Sequence, residues 1–189
     1  YENLACSAEN HPSREAIIYY GSVISYRALF ESVNSVANFL NSFSTISPGD
    51  RIILYMQNCP QFIISYYAIL GVNCIIVPVN PMLAPAELSY IISDSDTRFI
   101  ITAAELLNKV FEAVEKLKIK DVSILVTAYS DLINKKFNIK LPVEIEKKSP
   151  KVNTEKLYYW LDLPEVKNKQ FRHARRLTDL SVIPYTSGT

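Results

Sequence analysis

The sequence contains little glycine, and this scarcity excludes two common nucleotide-binding loops. Only four of the 189 residues are glycine, at positions 21, 49, 71 and 188. A Gly-x-Gly-x-x-Gly dinucleotide loop and a complete Walker A loop both require glycines at closer spacing. Any phosphate-binding activity must therefore depend on another kind of loop.

Cysteine and histidine are also scarce. The three cysteines form no Cys-x-x-Cys pair, so they fit neither a zinc site nor a disulfide-rich secreted domain. They favour a cytoplasmic location, in which Cys59 and Cys74 act as small buried apolar residues. His11 and His173 are far apart and have no cysteine or carboxylate partner at a useful spacing. We therefore predict no metal-binding residue in this chain.

Large excess charge and long apolar runs are absent as well. The formal net charge of +1 argues against a protein dedicated to nucleic acid. No apolar run approaches the ~20 residues that span a bilayer, and no segment resembles a signal peptide. Residues 128–178 contain nine lysines and three arginines against six acidic residues. We interpret them as a basic, loop-rich connector with a short helix near Glu155–Leu161; the alternative, a nucleic-acid surface, would bind with steep salt dependence.

A regular succession of short β-rich runs is the main positive signal. The runs begin at Ile52, Ile75, Phe99 and Val122, at intervals of 23, 24 and 23 residues, with helical patterns between them. Such βαβ units form parallel sheets with helices on both faces. The near-continuous apolar character of the runs is typical of strands that are buried on both faces. We therefore predict an α/β fold with a mostly parallel sheet.

Local patterns place several element boundaries. The runs Ala16–Tyr20 and Val23–Ser25 flank a glycine-containing turn and predict a hairpin. Ser25 is the predicted N-cap of an amphipathic helix that follows it.

Two later helix starts carry similar signals. Asn58 followed by Pro60 predicts the beginning of a helix that ends near Gly71. The run from Thr102 to Glu105 has the pattern of a capping box at the start of another helix.

The last residues combine an apolar strand with a polar loop. Leu180–Pro184 predicts a further buried strand, which continues directly into Tyr185-Thr-Ser-Gly-Thr189. Hydroxyl and backbone N–H groups at the carboxyl end of a parallel sheet suit phosphate binding, and glycine lets the backbone approach a ligand. Taken by itself, a tail rich in Ser, Thr and Gly is more often an ordinary surface loop.

Several segments together resemble the adenylate-forming, or AMP-binding, superfamily, which contains acyl-CoA synthetases, luciferases and peptide-synthetase adenylation domains. Pro48-Gly-Asp-Arg-Ile52, Asn58-Cys-Pro-Gln-Phe62 and Val77-Pro-Val-Asn-Pro81 follow that family's motifs in the same order. Asp179-Leu-Ser-Val-Ile-Pro-Tyr-Thr-Ser-Gly-Thr189 resembles the strand and the first half of its phosphate-binding loop. Residues 128–170 match no motif of the family.

The resemblance implies how the chain is organised and which residues bind ligand. It makes 1–189 the N-terminal portion of a larger AMP-binding domain, with a βαβ core at 1–127, the connector at 128–178 and the strand with the start of the loop at 179–189. It implies that Thr186, Ser187, Gly188 and Thr189 contact the phosphates of ATP. No catalytic residue is implied in this chain.

The resemblance also implies a ligase reaction. A carboxylic acid would react with ATP in the presence of Mg²⁺ to give an acyl-adenylate, and coenzyme A would then take the acyl group. A fatty acid is the expected substrate, with an aryl acid as the alternative. We expect these 189 residues alone to be inactive and to self-associate through an exposed apolar surface. The competing hypothesis is a non-catalytic α/β module that binds a small anion or a partner.

Overall fold

The computed structural model describes residues 1–119, 121–134, 140–152, 154–165 and 178–186. The chain begins with helix α1 (Glu2–Asn10), a hairpin of β1 (Glu15–Tyr19) and β2 (Ser22–Ser25), and helix α2 (Tyr26–Asn41). The elements that follow alternate between strand and helix: β3 (Arg51–Tyr55), α3 (Pro60–Gly71), β4 (Ile75–Pro78), α4 (Pro85–Asp94), β5 (Phe99–Ala103), α5 (Leu107–Leu117) and β6 (Ser123–Thr127). A short helix α6 (Val143–Glu146) and strand β7 (Leu157–Tyr159) come last, and 3-10 turns occupy Ala104–Leu106, Tyr129–Leu132 and Trp160–Asp162.

The main sheet has five strands in the order β4-β3-β5-β6-β7, and every neighbouring pair is parallel. The predicted α/β fold with a mostly parallel sheet is therefore confirmed. The predicted strand starts at Ile75 and Phe99 are those observed, while the starts predicted at Ile52 and Val122 are each displaced by one residue. This agreement follows from the apolar runs, because strands covered on both faces need apolar side chains at nearly every position.

Alternating side chains of the strands enter two separate apolar cores. Ile52 and Leu54 of β3 pack on the side of α2 and α3, whereas Ile53 and Tyr55 pack on the side of α4 and α5. All four side chains are no more than 1% exposed. Helices thus cover both faces of the sheet, as the sequence predicts.

The hairpin and the start of α2 also form as predicted. Tyr20 and Gly21, between β1 and β2, have φ values of 45° and 77°, and two consecutive positive φ angles are typical of the tight turns that suit a hairpin's twist. Ser25 caps α2, since its Oγ accepts a hydrogen bond from the Ala28 N–H at 3.3 Å.

The predicted end of α3 near Gly71 is confirmed, because the helix spans Pro60–Gly71. The predicted start is wrong by one residue, since Cys59 rather than Asn58 is the N-cap residue. Asn73 adopts the left-handed conformation after the helix, with φ 60°. Gly71 makes room for a ring, because a Cβ there would lie 3.1 Å from Tyr1.

The predicted capping box at Thr102 and Glu105 is also wrong. Thr102 belongs to β5, and its hydroxyl donates to the Tyr55 carbonyl at 2.9 Å. Glu105 lies in a 3-10 turn and accepts a hydrogen bond from Tyr129. The helix α5 starts only at Leu107, because Thr102, which would have been its N-cap, is paired within the sheet as part of β5.

Two elements near the end of the chain differ from the prediction. The segment Glu155–Leu161 contains strand β7, which pairs with β6, and a 3-10 turn in place of the predicted helix. Leu180–Pro184 is extended but not buried, since Leu180 is 55% exposed and Val182 makes only one bridge, to Ile76 of β4. The segment therefore lies at the outer edge of the sheet.

Candidate functional site

The segment 178–186 leads to the predicted phosphate loop and lies beside β4. Ile76 and Val182 form a parallel bridge, in which the Ile76 N–H donates to the Ser181 carbonyl and the Ile183 N–H donates to the Ile76 carbonyl, both at 2.9 Å. The segment therefore runs in the same direction as the five parallel strands. Thr186 is exposed at the end of the described segment. The other predicted site residues, Ser187, Gly188 and Thr189, lie outside the described residues.

Tyr185, the residue before Thr186, is fixed by its side chain. Its hydroxyl donates to Asp94 Oδ2 at 2.5 Å, and its ring packs with the apolar cluster between the sheet, α4 and α5. Burial and the hydrogen bond to Asp94 raise the pKa of Tyr185 to about 12. The hydroxyl is therefore protonated, and able to donate, throughout the neutral range.

Two side chains form hydrogen bonds to the backbone of the loop between β4 and α4. The Tyr55 hydroxyl and the Lys109 ammonium each donate to the carbonyls of Pro81 and Leu83, at 3.1 to 3.2 Å. Burial raises the pKa of Tyr55 to about 12. The tip of this loop is open to solvent, since Met82 is 78% exposed. Two donors from the sheet and from α5 thus fix the loop next to the edge strand.

The carboxyl ends of β3 and β5 meet at the point where the strand order reverses. The chain leaves β3 for β4 on one side and then crosses to β5 on the other. In open parallel sheets a crevice at such a point commonly receives ligand. Here the hydroxyl of Tyr129 lies in that position, accepting from the Gln57 N–H at 3.0 Å and donating to Glu105 Oε1 at 2.8 Å.

Tyr129 is a firmly buried part of this structure. It is 3% exposed, and burial, together with the hydrogen bond that it donates to Glu105, raises its pKa far above the usual value. The side chain therefore bridges the crevice as a neutral phenol. Segment 178–186, in contrast, ends at an exposed residue, Thr186.

The cysteines and histidines are the remaining side chains that the sequence analysis considered for chemistry. Cys59 and Cys74 are buried as predicted, and burial raises the pKa of Cys59 to about 11. His11 is exposed, and His173 lies outside the described residues. Across the part of the chain that the structure describes, no three His, Cys, Asp or Glu residues come together in a way that would hold a metal ion.

The helices carry no sign of membrane insertion. None of those in the described part of the chain combines the length and the apolar character that crossing a bilayer requires.

Two cavities lie away from Thr186. One, of about 490 Å³, is at the amino edge of the sheet, where Gly49, Ile75 and Asp179 contribute to its wall. The other, of about 850 Å³, lies beyond β7 and includes Asp131, Lys151 and Trp160. Thr186 does not contribute to the wall of either cavity.

Sequence reasoning missed the side chains that organise this edge of the sheet. The sequence predicts no role for Asp94, Lys109 or Tyr129, and the partners of these residues and of Glu105 lie 24 to 91 residues away along the chain. Glu105 carried a signal, but it was assigned to the helix cap. No local pattern distinguishes the other three from ordinary surface or core residues.

Comparison with known proteins connects this geometry to a family. A model of the AMP-binding enzyme family matches residues 4–189. The long-chain-fatty-acid–CoA ligase of Bacillus subtilis is 32% identical over 145 residues, which cover 77% of this chain and 25% of the relative. The ligase of the same name from Haemophilus influenzae is 30% identical over 190 residues, covering 97% of this chain and 33% of the relative. The chain thus spans a quarter to a third of these relatives.

A solved structure shows the same fold. The anthranilate CoA ligase AuaEII, in complex with anthranoyl-AMP, superimposes with a TM-score of 0.71 over 98% of this chain and 31% of the ligase, at 18% identity. The family match includes every motif from Pro48 to Thr189 on which the resemblance was based. The chain belongs to the AMP-binding enzyme family of adenylate-forming ligases.

Proposed function

We propose that the protein is an AMP-forming acyl-CoA ligase that activates a fatty acid, and that this chain provides the first part of its ATP-binding domain. The observation that carries the proposal is the parallel course of segment 178–186 beside β4, which ends at the exposed Thr186. Membership of the AMP-binding family supports ATP as a substrate. The names of the two curated relatives support a long-chain fatty acid.

The proposed reaction has two steps. A carboxylate oxygen attacks the α-phosphorus of ATP, so that the new P–O bond gives an acyl-adenylate and pyrophosphate leaves. The sulfur of coenzyme A then attacks the acyl carbon, a thioester forms, and AMP leaves with the bonding electron pair. Positioning and charge stabilisation are the protein's main contributions to such chemistry.

The part assigned to this chain is to hold phosphate. The Thr186 hydroxyl is an exposed donor, and we propose that Thr186, Ser187, Gly188 and Thr189 contact the phosphates that leave. Mg²⁺, when bound, would neutralise phosphate charge. Among the described residues, no three His, Cys, Asp or Glu side chains come together in a way that would hold it, so we assign no metal-binding role to them. We also propose that the 189 residues alone are inactive and that the reaction takes place in the cytoplasm.

An aryl acid is the second candidate substrate. The structural match to a ligase bound to anthranoyl-AMP favours it, although at 18% identity that match supports the fold and not the specificity. The two candidates share the adenylation step and differ only in the acyl pocket.

Pyrophosphate exchange by the full-length protein tests the proposal. Labelled pyrophosphate should enter ATP only when an acid is added, and palmitate should support faster exchange than benzoate or anthranilate. Faster exchange with the aryl acids would replace the fatty-acid assignment. No exchange with any acid, from protein that is folded by circular dichroism, would overturn the ligase proposal and favour the non-catalytic module. Exchange by the 189-residue chain would contradict its proposed inactivity.

A further inference from the structure

We propose that Asp94 is a positioning residue for the phosphate loop, because it holds Tyr185 and so fixes the backbone that enters Thr186. This inference rests on the proposed function, since it assigns Asp94 a role in placing the groups that would contact ATP. Asp94 is the last residue of α4, and it is 91 residues away from Tyr185 along the chain.

The attachment of the segment to the sheet ends early. The two backbone hydrogen bonds to Ile76 involve Ser181 and Ile183. Among the described residues after Ile183, Tyr185 forms a hydrogen bond, which its hydroxyl donates to Asp94. Thr186 follows immediately and is exposed. The position of the loop's first residue therefore depends on a side-chain contact rather than on the sheet.

Asp94 is badly placed for the stability of its own helix. The C-terminus of a helix carries partial negative charge, which disfavours a carboxylate in the last turn, and α4 has no basic residue there. A residue that weakens its helix slightly requires another explanation. The hydrogen bond to Tyr185 provides one, because a carboxylate is a stronger acceptor than a neutral group.

The helix that carries Asp94 is itself well fixed. Leu88, Ile91 and Ile92 bury its inner face, and the Ala84 N–H at its start donates to Glu87 Oε2 at 2.8 Å. The loop before it is held by Tyr55 and Lys109, as described above. Asp94 therefore connects α4, which is packed in the core, to Tyr185 near the end of segment 178–186.

The test uses the full-length protein with four single variants. Asp94→Ala removes the acceptor, Tyr185→Phe removes the donor but keeps the ring, and Asp94→Asn keeps a neutral acceptor. Asp96→Ala is the matched control, because Asp96 is also exposed near the end of α4 but pairs with Arg51 and Arg98 at 3.4 and 3.0 Å.

The expected result is a split between ATP binding and turnover. Asp94→Ala and Tyr185→Phe should each raise the KM for ATP about five- to tenfold, as expected for one lost hydrogen bond, with little change in kcat or in the KM for the acid. The double variant Asp94→Ala/Tyr185→Phe should raise the KM for ATP no further than either single variant does. Asp94→Asn should raise the KM for ATP less than Asp94→Ala does. Asp96→Ala should match the wild type.

Hydrogen exchange provides a readout that does not depend on ATP. The backbone amide of Ile183, which donates to the Ile76 carbonyl, should exchange faster in Asp94→Ala and Tyr185→Phe, and at the wild-type rate in Asp96→Ala. Unchanged exchange in the first two variants would overturn the positioning role. An unchanged KM for ATP in an active enzyme, or an equal loss in Asp96→Ala, would also overturn it. If the wild-type protein catalyses no pyrophosphate exchange, the proposed function fails, and hydrogen exchange alone decides whether Asp94 fixes the segment.

Discussion

The centre and the outer edge of the sheet are stabilised by different kinds of contact. In the centre, β3, β5 and β6 form continuous parallel ladders, and the residues that follow them are joined by the hydrogen bonds of Tyr129 to Gln57 and Glu105. At the outer edge, segment 178–186 is joined to β4 by the bridge at Val182 and to α4 by the hydrogen bond from Tyr185 to Asp94. The region that we propose for ligand binding is thus joined to the sheet by an isolated bridge rather than by a continuous ladder. Binding regions are commonly drawn from the parts of a protein with the fewest stabilising contacts.

The strongest test of this difference removes apolar volume from each region. Leu54→Ala in the central strand should lower the free energy of unfolding by about 2–5 kcal/mol, because the side chain is fully buried. Val182→Ala at the edge should lower it by less than about 1 kcal/mol, because that side chain is only partly buried. Urea unfolding followed by the fluorescence of the single tryptophan, Trp160, measures both. Equal losses would contradict the contrast.

A second test removes only the hydroxyl that joins the central loops. Tyr129→Phe leaves the Gln57 N–H and the Glu105 carboxylate without this partner, so we expect a loss of about 1–3 kcal/mol in the free energy of unfolding. Tyr90→Phe is the control, because Tyr90 is 63% exposed, and it should change stability by less than about 0.5 kcal/mol. If Tyr129→Phe leaves the free energy of unfolding unchanged, the hydrogen bonds of the Tyr129 hydroxyl contribute nothing to stability beyond the packing of the ring.

The buried thiol at the end of the central strands gives a pH dependence. Cys59 has its pKa raised to about 11 by burial, whereas in the unfolded chain the thiol ionises near pH 9. Its contribution to stability is therefore complete below pH 9 and is lost as the pH rises to 11, by about 2 kcal/mol. Unfolding measured at pH 8, 9, 10 and 11 should show a shallower decline in Cys59→Ala. If the free energy of unfolding declines with pH equally in the wild type and in Cys59→Ala, ionisation of Cys59 is not the cause of the decline.

The smallest effect on stability is expected at the hairpin surface. Ile18 and Val23 are paired across β1 and β2 and are 67% and 51% exposed. Ile18→Lys should change the free energy of unfolding by less than about 0.5 kcal/mol. Light scattering by the 189-residue chain should nevertheless show less self-association than in the wild type, if this pair is part of the exposed apolar surface. A monomeric wild-type chain would remove the prediction of self-association.

The sequence predicted the elements whose signals are local. The apolar runs that begin near Ile52, Ile75, Phe99 and Val122 identified the strands, because burial on both faces determines composition directly. The capping pattern at Thr102 failed because the same residues also satisfy a strand, and pairing with β3 decided between the two. The segment near Glu155 failed for the same reason, since β6 provides a partner that no local window contains.

The candidate site was predictable only in part. The family's motif identified Thr186 and the residues after it, but the groups around that segment come from distant positions. The pairs Tyr185 with Asp94 and Tyr129 with Glu105 depend on how the strands are ordered, and that order is not contained in the spacing of the runs. Chemistry that depends on such pairs becomes visible only in the folded chain.

The bridge between Ile76 and Val182 has a consequence for the order of events during synthesis. The two residues are 106 positions apart, so the ribosome makes β4 several seconds, about 5–20 s, before its outer neighbour emerges. During that interval β4 is an unpaired edge, which can pair with other chains. Closing so long a loop is also entropically costly. We therefore expect the segment that leads into the predicted phosphate loop to join the sheet after the central strands have been made.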